Sequence, residues 1–262
     1  MTDPSKHFSI WKFSSDGYEE KLDHLAVEEP LQVVIDGRAL AVLMRTPGDD
    51  ELLTIGFLKT EGIIQNIAQI ARIDLDTRDN HAFVFLADGH EVDWGRMTRH
   101  LFAASSCGLC GKATIDSILQ SHDGIKSPLP LKKEILLAAP DIMRTAQKTF
   151  ESTGGLHASA LFDSQGNLSV LKEDIGRHNA LDKVIGFGIR EGIDFSQSFL
   201  LLSGRISFEL MQKSLAAGIP FVAGISAPSS LAVEFAKTSQ QTLIGFLRPP
   251  TFNLYCSSGW GS

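Results

Sequence analysis

Two of the chain's three cysteines, Cys107 and Cys110, are spaced Cys-x-x-Cys and could do chemistry together. Gly108 stands between them and Gly111 follows, and glycine lets the backbone take conformations that other residues resist. A helical pattern follows at residues 112–119, and the positive end of a helix that begins there would favour thiolate over thiol. Two such thiols can share a metal, form a disulfide or carry sulfur. The spacing leaves all three uses open.

The sequence also bears on three familiar uses of a cysteine pair. Structural zinc needs about four ligands, and Cys256, His157 and His178 could complete such a set only if the fold brings them together. A zinc deaminase would have Pro-Cys-x-x-Cys and His-x-Glu, but Ser106 precedes Cys107 and no His-x-Glu occurs. A thioredoxin-like oxidoreductase would place the pair near an early βαβ unit, which is not predicted here.

Four further segments, all C-terminal to the cysteines, combine small residues with basic ones: 153–158, 173–183, 203–205 and 246–251. Arg177 and His178 stand where a helix should begin, and free N–H groups at a helix start favour an anion. Arg205 follows a buried strand and a glycine, the arrangement that places ligands at the carboxyl ends of α/β strands. Arg248 offers a planar fork for phosphate.

Each of these segments also has a plainer interpretation. His157 on an apolar strand can be a satisfied core histidine, and segment 173–183 can be a helix capped by Asp174 with a solvated face. The segment around Arg248 can be a surface turn. Together, however, Arg177, Arg205 and Arg248 would supply the positive cluster that the acidic chain otherwise lacks.

The charge and hydropathy of the chain exclude several classes of protein. A formal net charge of −7 argues against bulk binding of nucleic acid. The apolar run 199–202 is far too short to span a membrane, and the first ten residues have no apolar core of the kind a signal peptide needs. A lone cysteine pair favours a reducing compartment.

The alternation of strand and helix patterns predicts an α/β fold. An α/β part is expected at residues 131–262, and a smaller α+β part that carries the cysteine pair at residues 1–130. Asp36-Gly37 between two apolar runs predicts a β-hairpin. Residues 1–25 read as irregular apart from a strand at 8–13, and Pro140 should end or kink a helix within 131–150. The last strand is expected at 242–246, and a short helix at 94–102.

Together and in this order, the motifs resemble the FdhD family of formate dehydrogenase accessory sulfurtransferases. The resemblance rests on segments 28–31, 56–58, 61–64, 106–111, 153–158, 173–183, 203–205 with Glu209, and 242–246. It implies a fold similar to that of cytidine deaminases, layered αβα but without their zinc site. It also implies a cytoplasmic homodimer that receives sulfur from a cysteine desulfurase and serves formate dehydrogenase.

The acceptor that the resemblance implies is the molybdenum cofactor in its bis(molybdopterin guanine dinucleotide) form, which a guanine nucleotide could mimic. By motif, Cys107 takes the position of the persulfide-carrying cysteine and Cys110 that of its partner. Arg177, His178 and Arg205 are expected to help hold the acceptor, and no metal ligand is expected among the protein's own residues. The cofactor-binding segment of the family falls on Phe246, Leu247, Arg248, Pro249, Pro250 and Thr251. Other members have glycine and a basic residue late in this segment, where Pro250 and Thr251 stand here.

Two other functions fit parts of the same pattern. One is a chaperone that binds the molybdenum cofactor without obligatory persulfide chemistry. The other is a zinc-dependent, deaminase-like hydrolase.

Overall fold

The computed structural model of the chain describes residues 3–95 and 124–258, in which strands form sheets of two, four and six members. The strands are β1 Ser5–Ser14, β2 Gly17–Ala26, β3 Glu29–Ile35, β4 Arg38–Arg45, β5 Ile70–Asp76, β6 His81–Leu86, β7 His157–Asp163, β8 Leu168–Asp174, β9 Ser198–Leu202, β10 Phe221–Gly224, β11 Thr242–Arg248 and β12 Thr251–Cys256. The helices are α1 Asp50–Thr60, α2 Lys133–Ala146, α3 Lys148–Thr153, α4 Arg177–Glu191, α5 Phe208–Ala216 and α6 Ser230–Ser239. The predicted α/β class is confirmed.

The six-stranded sheet has the order β12-β11-β10-β9-β7-β8. Its centre, β9 to β11, is parallel, whereas β7, β8 and β12 each run antiparallel to the strand beside them. Because successive side chains of a strand point to opposite faces, Leu200 and Leu202 join the core under α4, α5 and α6. Phe199 and Leu201 join the core under α2 on the other face. Helices therefore cover both faces, as the continuous apolar strands predict. The closer likeness to cytidine deaminases stays a prediction.

The four-stranded sheet has the order β4-β3-β6-β5 and packs on α1. Its first hairpin turns at Asp36 and Gly37, whose φ angles of 46° and 83° are those of the turn that Asp-Gly predicts. On the inner face, Val33, Ile35 and Leu58 share one buried cluster. The predicted hairpin is thus confirmed.

Helices α1 and α4 touch through their backbones. A Cβ atom added at Gly56 would lie 1.8 Å from the carbonyl oxygen of Asp182, and one added at Gly186 would lie 1.9 Å from that of Leu52. Any side chain at either glycine would push the helices apart, so the absence of a Cβ at these positions sets their spacing. This contact joins the four-stranded sheet to the helical layer of the larger one. The division of the chain at residues 130/131 stays a prediction.

The strand expected at 8–13 is confirmed as part of β1, but the irregular structure expected in the rest of residues 1–25 is wrong. Strands β1 and β2 pair in register from Ser5 with Ala26 to Ser14 with Gly17, forming an antiparallel ribbon. Trp11, Phe13 and Tyr18 are 68 to 73% exposed on it. The polar residues between them hide the strand pattern in the sequence, because both faces of the ribbon are open to solvent.

Two breaks in the chain are not where the sequence predicts them: no helix ends at Pro140, and β11 does not end at Phe246. Helix α2 continues through Pro140, since the buried stripe of Leu136, Ala139 and Met143 holds it against the sheet. That packing outweighs the hydrogen bond that proline removes, a loss of about 3 kcal/mol. Strand β11 continues past Phe246 to Arg248, and β12 pairs back against it. Segment 246–251 is therefore the end of β11, a two-residue turn and the first residue of β12.

Candidate functional site

The four segments that combine small and basic residues meet at one edge of the six-stranded sheet. Strands β9 and β11 end there, followed by 203–205 and by Pro249. Because β7 is antiparallel to β9, its first residue, His157, lies at the same edge, and it pairs with Asp174 at the end of β8. This is the carboxyl edge of the parallel strands, where α/β proteins bind ligands.

His157 and segment 203–205 are fitted to each other. The Ser203 Oγ accepts a hydrogen bond of 2.8 Å from the Ala158 N–H, and the Ser203 N–H donates to the Ala158 carbonyl. A Cβ on Gly204 would lie 3.0 Å from the His157 Nδ1, so the glycine makes room for the ring. Burial, and then the charges of Arg177 and Arg205, lower the pKa of His157. The ring is therefore neutral at physiological pH, and the plainer reading of His157 as a core residue is wrong, since it is half-buried and lines a cavity.

Most of the acidic and amide groups of segment 173–183 are structural. The Asp174 carboxylate is fully buried and lies 2.7 Å from the Lys183 Nζ. It also accepts hydrogen bonds from the N–H groups of Thr46 and Gly176 and from the Asn179 amide. The reading of this segment as a solvated face capped by Asp174 is therefore wrong. The carboxylate instead fixes the turn from β8 into α4 and ties it to the N-terminal part of the chain.

A second buried ion pair lies further along α4. The Lys213 Nζ donates to Asp182 at 2.9 Å, to the Thr60 hydroxyl at 2.8 Å and to Glu61 at 3.2 Å. Burial disfavours the ammonium, but the two carboxylates hold the pKa of Lys213 above its usual value. This cluster joins α1, α4 and α5 with the charged groups satisfied.

Arg177 and His178, at the start of α4, differ from their neighbours because each has an unsatisfied buried nitrogen. The Arg177 Nε and the His178 Nε2 have no hydrogen-bond partner within the described ranges 3–95 and 124–258. Burial, and then the charges of Arg177 and Lys213, lower the pKa of His178 to about 4. The imidazole is neutral, and the positive charge at this corner belongs to the arginine.

Segment 246–251 reaches the same edge from β11. Leu247 is buried, and the Arg248 Nε donates to the Ile225 carbonyl at 3.1 Å, which fixes the guanidinium beside the end of β10. Phe246 is 37% exposed with a positive φ of 51°. Leu247, Arg248 and Pro249 line a cavity, whereas Phe246, Pro250 and Thr251 are not among its lining residues.

That cavity has a volume of about 650 Å³, within the usual range for a small-ligand site. Its walls come from α2 and α3, from the turn before β7, and from the carboxyl edge: Pro140, Asp141, Met143, Arg144, Gln147, Phe150, Gly154, Gly155, Leu156, His157, Ser203, Gly204, Ile225, Leu247, Arg248 and Pro249. Arg177, His178 and Arg205 stand outside this lining. Arg177 and Arg205 still act on it through their charge at His157.

The sequence reasoning missed the whole wall formed by α2 and α3. Arg144 stacks its guanidinium over the Phe150 ring, 4.9 Å from the centroid, and both line the cavity. In the sequence these residues belong to an amphipathic helix with no glycine or motif beside them. The one sequence signal for their position is the apolar stripe of α2: it packs the helix on the sheet and so brings the polar side of α2 to this edge.

Cys107, Cys110 and most of the predicted helix at 94–102 lie outside the described residues. Cys256, at the end of β12, is half-buried, and burial raises the pKa of its thiol. Among the residues that the structure describes, no group of three or more His, Cys, Asp or Glu side chains could hold a metal ion. No helix among the described residues is long and apolar enough to cross a membrane.

The fold is that of an α/β protein with a cavity at the carboxyl edge of its parallel strands and arginines on two walls of that cavity. The chain matches the model of the FdhD/NarQ family over residues 26–259, and it belongs to that family.

The relatives cover nearly the whole chain. It is 44% identical to a sulfur carrier protein FdhD of Streptomyces avermitilis over 245 residues, which cover 89% of this chain and 87% of that protein. It is 42% identical to the protein of the same name from Sulfolobus acidocaldarius, with 92% of each chain covered. A crystal structure from Desulfotalea psychrophila, described as a formate dehydrogenase accessory protein, superposes with a TM-score of 0.78 at 23% identity, covering 97% of this chain and 98% of that one. That likeness establishes the shared fold.

Proposed function

We propose that this protein is a sulfur carrier that takes sulfur from a cysteine desulfurase as a persulfide on Cys107. It passes that sulfur to the molybdenum cofactor, in its bis(molybdopterin guanine dinucleotide) form, for use by formate dehydrogenase. The single observation that carries the proposal is the cavity at the carboxyl edge, in a chain whose relatives are named sulfur carriers. The proposal includes a cytoplasmic homodimer, as the family resemblance implies.

The cavity suits an acceptor that combines flat rings with phosphates. Its walls are largely apolar, with Met143, Leu156 and Leu247 among them, and Arg144 and Arg248 stand on different walls. One guanidinium group can bind two phosphate oxygens at once through parallel N–H donors. Gly154 and Gly155 have no side chain, so a ligand can approach the backbone there. Arg177 and Arg205 add positive potential at the same edge.

The sulfur chemistry belongs to the cysteine pair. The Cys107 thiolate attacks the outer sulfur of the donor's persulfide, a new S–S bond forms on Cys107, and the donor's thiolate leaves. Delivery of the outer sulfur as sulfide takes two electrons, which the acceptor metal or the Cys110 thiolate can provide. In the second case Cys110 attacks the inner sulfur, hydrosulfide leaves, and a Cys107–Cys110 disulfide closes.

The direct test is mass spectrometry after incubation with a desulfurase and cysteine. We expect one added sulfur on the peptide that contains Cys107, its loss in Cys107→Ala, and its retention in the matched control Cys256→Ala. Cells that carry Cys107→Ala as their only copy should lose formate dehydrogenase activity. If that variant still accepts sulfur and supports the dehydrogenase, the carrier mechanism is wrong.

The two alternatives make different predictions in the same preparations. A cofactor chaperone without obligatory persulfide chemistry would keep full activity in both Cys107→Ala and Cys110→Ala. A zinc hydrolase would contain one zinc per chain and lose it on Cys110→Ser. Metal analysis of the purified full chain separates the second case from the proposal.

A further inference from the structure

The ribbon of β1 and β2 is the part of the described chain that neither the two larger sheets nor the cavity accounts for. It pairs with no other strand among residues 3–95 and 124–258, so both of its edges are open. Nearly all of it precedes residues 26–259, which match the family model. A two-stranded ribbon alone is at best marginally stable in water, and it needs a further layer over an apolar face.

One face of the ribbon is apolar. Residues that pair across two antiparallel strands point to the same side, and every second pair shares a face. Phe13 pairs with Tyr18 near the tip of the ribbon, and their ring centroids are 5.1 Å apart. Trp11 and Leu22 lie on the same face. These four side chains, here called the aromatic face, are 67 to 73% exposed.

The aromatic face is large enough to form the core of a protein interface. A fully buried aromatic side chain covers 150–250 Å², so the exposed parts of Trp11, Phe13 and Tyr18 amount to about 300 to 500 Å². The largest apolar patch on a typical monomer is about 300 to 600 Å² and often binds a partner. A specific interface buries about 800 Å² on each side, which this face reaches together with Leu22 and its polar rim.

The charged side chains of the ribbon lie almost entirely on its other face. That face carries Lys6, Lys12, Glu19, Lys21 and Asp23. Within the ribbon, the one carboxylate on the aromatic face is that of Glu20, and it accepts a hydrogen bond of 2.5 Å from the Ser9 hydroxyl. In a symmetric contact each face meets itself, so a charged face would repel its own copy. A face with one hydrogen-bonded carboxylate avoids that repulsion.

The same facts weigh against the other possible occupants. Residues 5–26 contain four carboxylates and three lysines, whereas segments that bind anionic lipid surfaces are rich in lysine and arginine. A partner protein that binds only in passing would leave the ribbon uncovered between encounters, although the ribbon has little stability of its own. A second copy of the chain is always present, and in a two-fold contact each ribbon covers the other.

We propose that the aromatic face of β1 and β2 is the surface through which two copies of this chain associate. A two-fold axis that runs along the ribbon brings the two tips together, with Phe13 and Tyr18 of each copy at the centre of the contact. This inference rests on the homodimer that is part of the proposed function and deepens it. It assigns the interface to a segment that lies almost wholly outside the family match.

The experiment is analytical ultracentrifugation of the full-length protein over a range of concentrations. The wild-type protein should sediment as a species of twice 28.5 kDa. The double variant Trp11→Thr with Phe13→Thr keeps residues that favour strands, and it should raise the dissociation constant of the dimer about a hundredfold or more, because each copy loses two aromatic anchors. The matched control, Phe8→Thr with Leu25→Thr, changes two residues on the opposite face that are 50 and 42% exposed, and it should leave the dissociation constant unchanged.

A pair of charged variants tests the symmetry of the contact. Leu22→Glu and Leu22→Lys each place like charges in the two halves of the interface, so each variant alone should be monomeric. An equal mixture of the two should form dimers with one copy of each, because opposite charges then meet. The amide N–H groups of residues 5–26 in the wild-type protein should also exchange more slowly above the dissociation constant than below it, a measurement that needs no substitution.

Three results would overturn the inference. The wild-type protein could stay monomeric and co-sediment with phosphatidylglycerol vesicles, which would assign the face to a membrane. It could stay monomeric without binding vesicles, which would assign the face to a different protein. Finally, the Trp11 and Phe13 double variant, with an unchanged circular dichroism spectrum, could remain as dimeric as the wild type, which would place the interface elsewhere. In each case, sulfur on the Cys107 peptide would show that the carrier function stands while this interface falls.

Discussion

The buried ion pair between Asp174 and Lys183 should contribute far more to stability than an ion pair of the same length at the surface. The two groups are 2.7 Å apart with side chains 0 and 2% exposed. Lys172 and Asp49 are also 2.7 Å apart, but their side chains are 19 and 38% exposed. The perturbation is Lys183→Met, which keeps the length of the side chain and removes its charge, and the matched control is Lys172→Met.

The structure predicts which variants lose the most stability. Removing one partner of a buried pair costs about 3 to 5 kcal/mol, whereas an exposed pair contributes about 0.2 to 1 kcal/mol. Lys183→Met leaves the Asp174 carboxylate with three donors, from Thr46, Gly176 and Asn179, so its cost should be about 3 kcal/mol. Asp174→Ala leaves the ammonium buried without a carboxylate, with only the Thr46 and Glu173 carbonyls as acceptors, and it leaves two backbone N–H groups unpaired. Its cost should reach about 5 kcal/mol or more, a large share of the 5 to 15 kcal/mol of a typical domain.

The assay is urea unfolding at pH 7, followed by circular dichroism and by tryptophan fluorescence, with the free energy of unfolding extrapolated to water. The double variant Asp174→Leu with Lys183→Met completes a cycle, and it should recover part of the loss because no buried charge remains. If Lys183→Met costs no more than Lys172→Met, the reasoning from burial is refuted. A double variant as unstable as the sum of the single variants would refute the coupling.

Three further predictions concern packing, pH and the ligand. Gly56→Ala should destabilise the protein by about 2 kcal/mol in urea unfolding, because the cost of overpacking, up to about 3 kcal/mol, exceeds the gain of about 1 kcal/mol in helix propensity. Gly155→Ala is the control: the nearest atoms to its added Cβ would be 3.8 Å away, so the change should be nearly neutral. The folded-state pKa of His178, about 4, lies below its unfolded value of about 6.5, so the unfolded chain binds the extra proton between these pH values. The free energy of unfolding should therefore fall by about 3 kcal/mol as the pH drops from 6.5 to 4, and the variant His178→Gln should lose this pH dependence. If the wild-type protein and the variant lose stability equally over this pH range, the lowered pKa is not that of His178. Arg248→Met should weaken the binding of GDP about tenfold in calorimetry, whereas the control Arg190→Met, at an exposed ion pair, should not change it. If both variants bind GDP with the same affinity, Arg248 is not part of the site.

Much of the fold could be predicted from the sequence because its signals are local. Asp36-Gly37 fixes a turn through its own backbone preferences, and the runs of buried residues in β9 and β10 identify the centre of a covered sheet. Strand β2 escaped prediction, and β1 was predicted only over residues 8–13, because an open ribbon has no buried face to give a period of two. The path of α2 through Pro140 escaped it because distant packing, which no local rule contains, outweighs a local cost.

Part of the candidate site could likewise be predicted from the sequence, and part could not. Segments 153–158, 173–183 and 203–205 stood out because glycines and charges cluster at strand ends, and the structure brings them to one edge. Which charges are free and which are paired could not be predicted. Lys183 and Asp174 find their partners across about 130 residues of chain, at Thr46, and Asp141 and Arg144 reach the site only through the packing of α2.

The way in which β11 and β12 enclose the turn at residues 249–250 has a consequence for recognition. Leu247 and Arg248 end a strand that pairs with β10 as far as Ile244 and with β12 as far as Gly245 and again at Arg248, and the Phe246 N–H is bonded to the Ser226 carbonyl. A ligand that arrives here meets a surface already in its final shape, so little conformational entropy is lost on binding. Association at this wall should therefore be fast and show no slow ordering phase, and random loop mutagenesis should find few tolerated changes here.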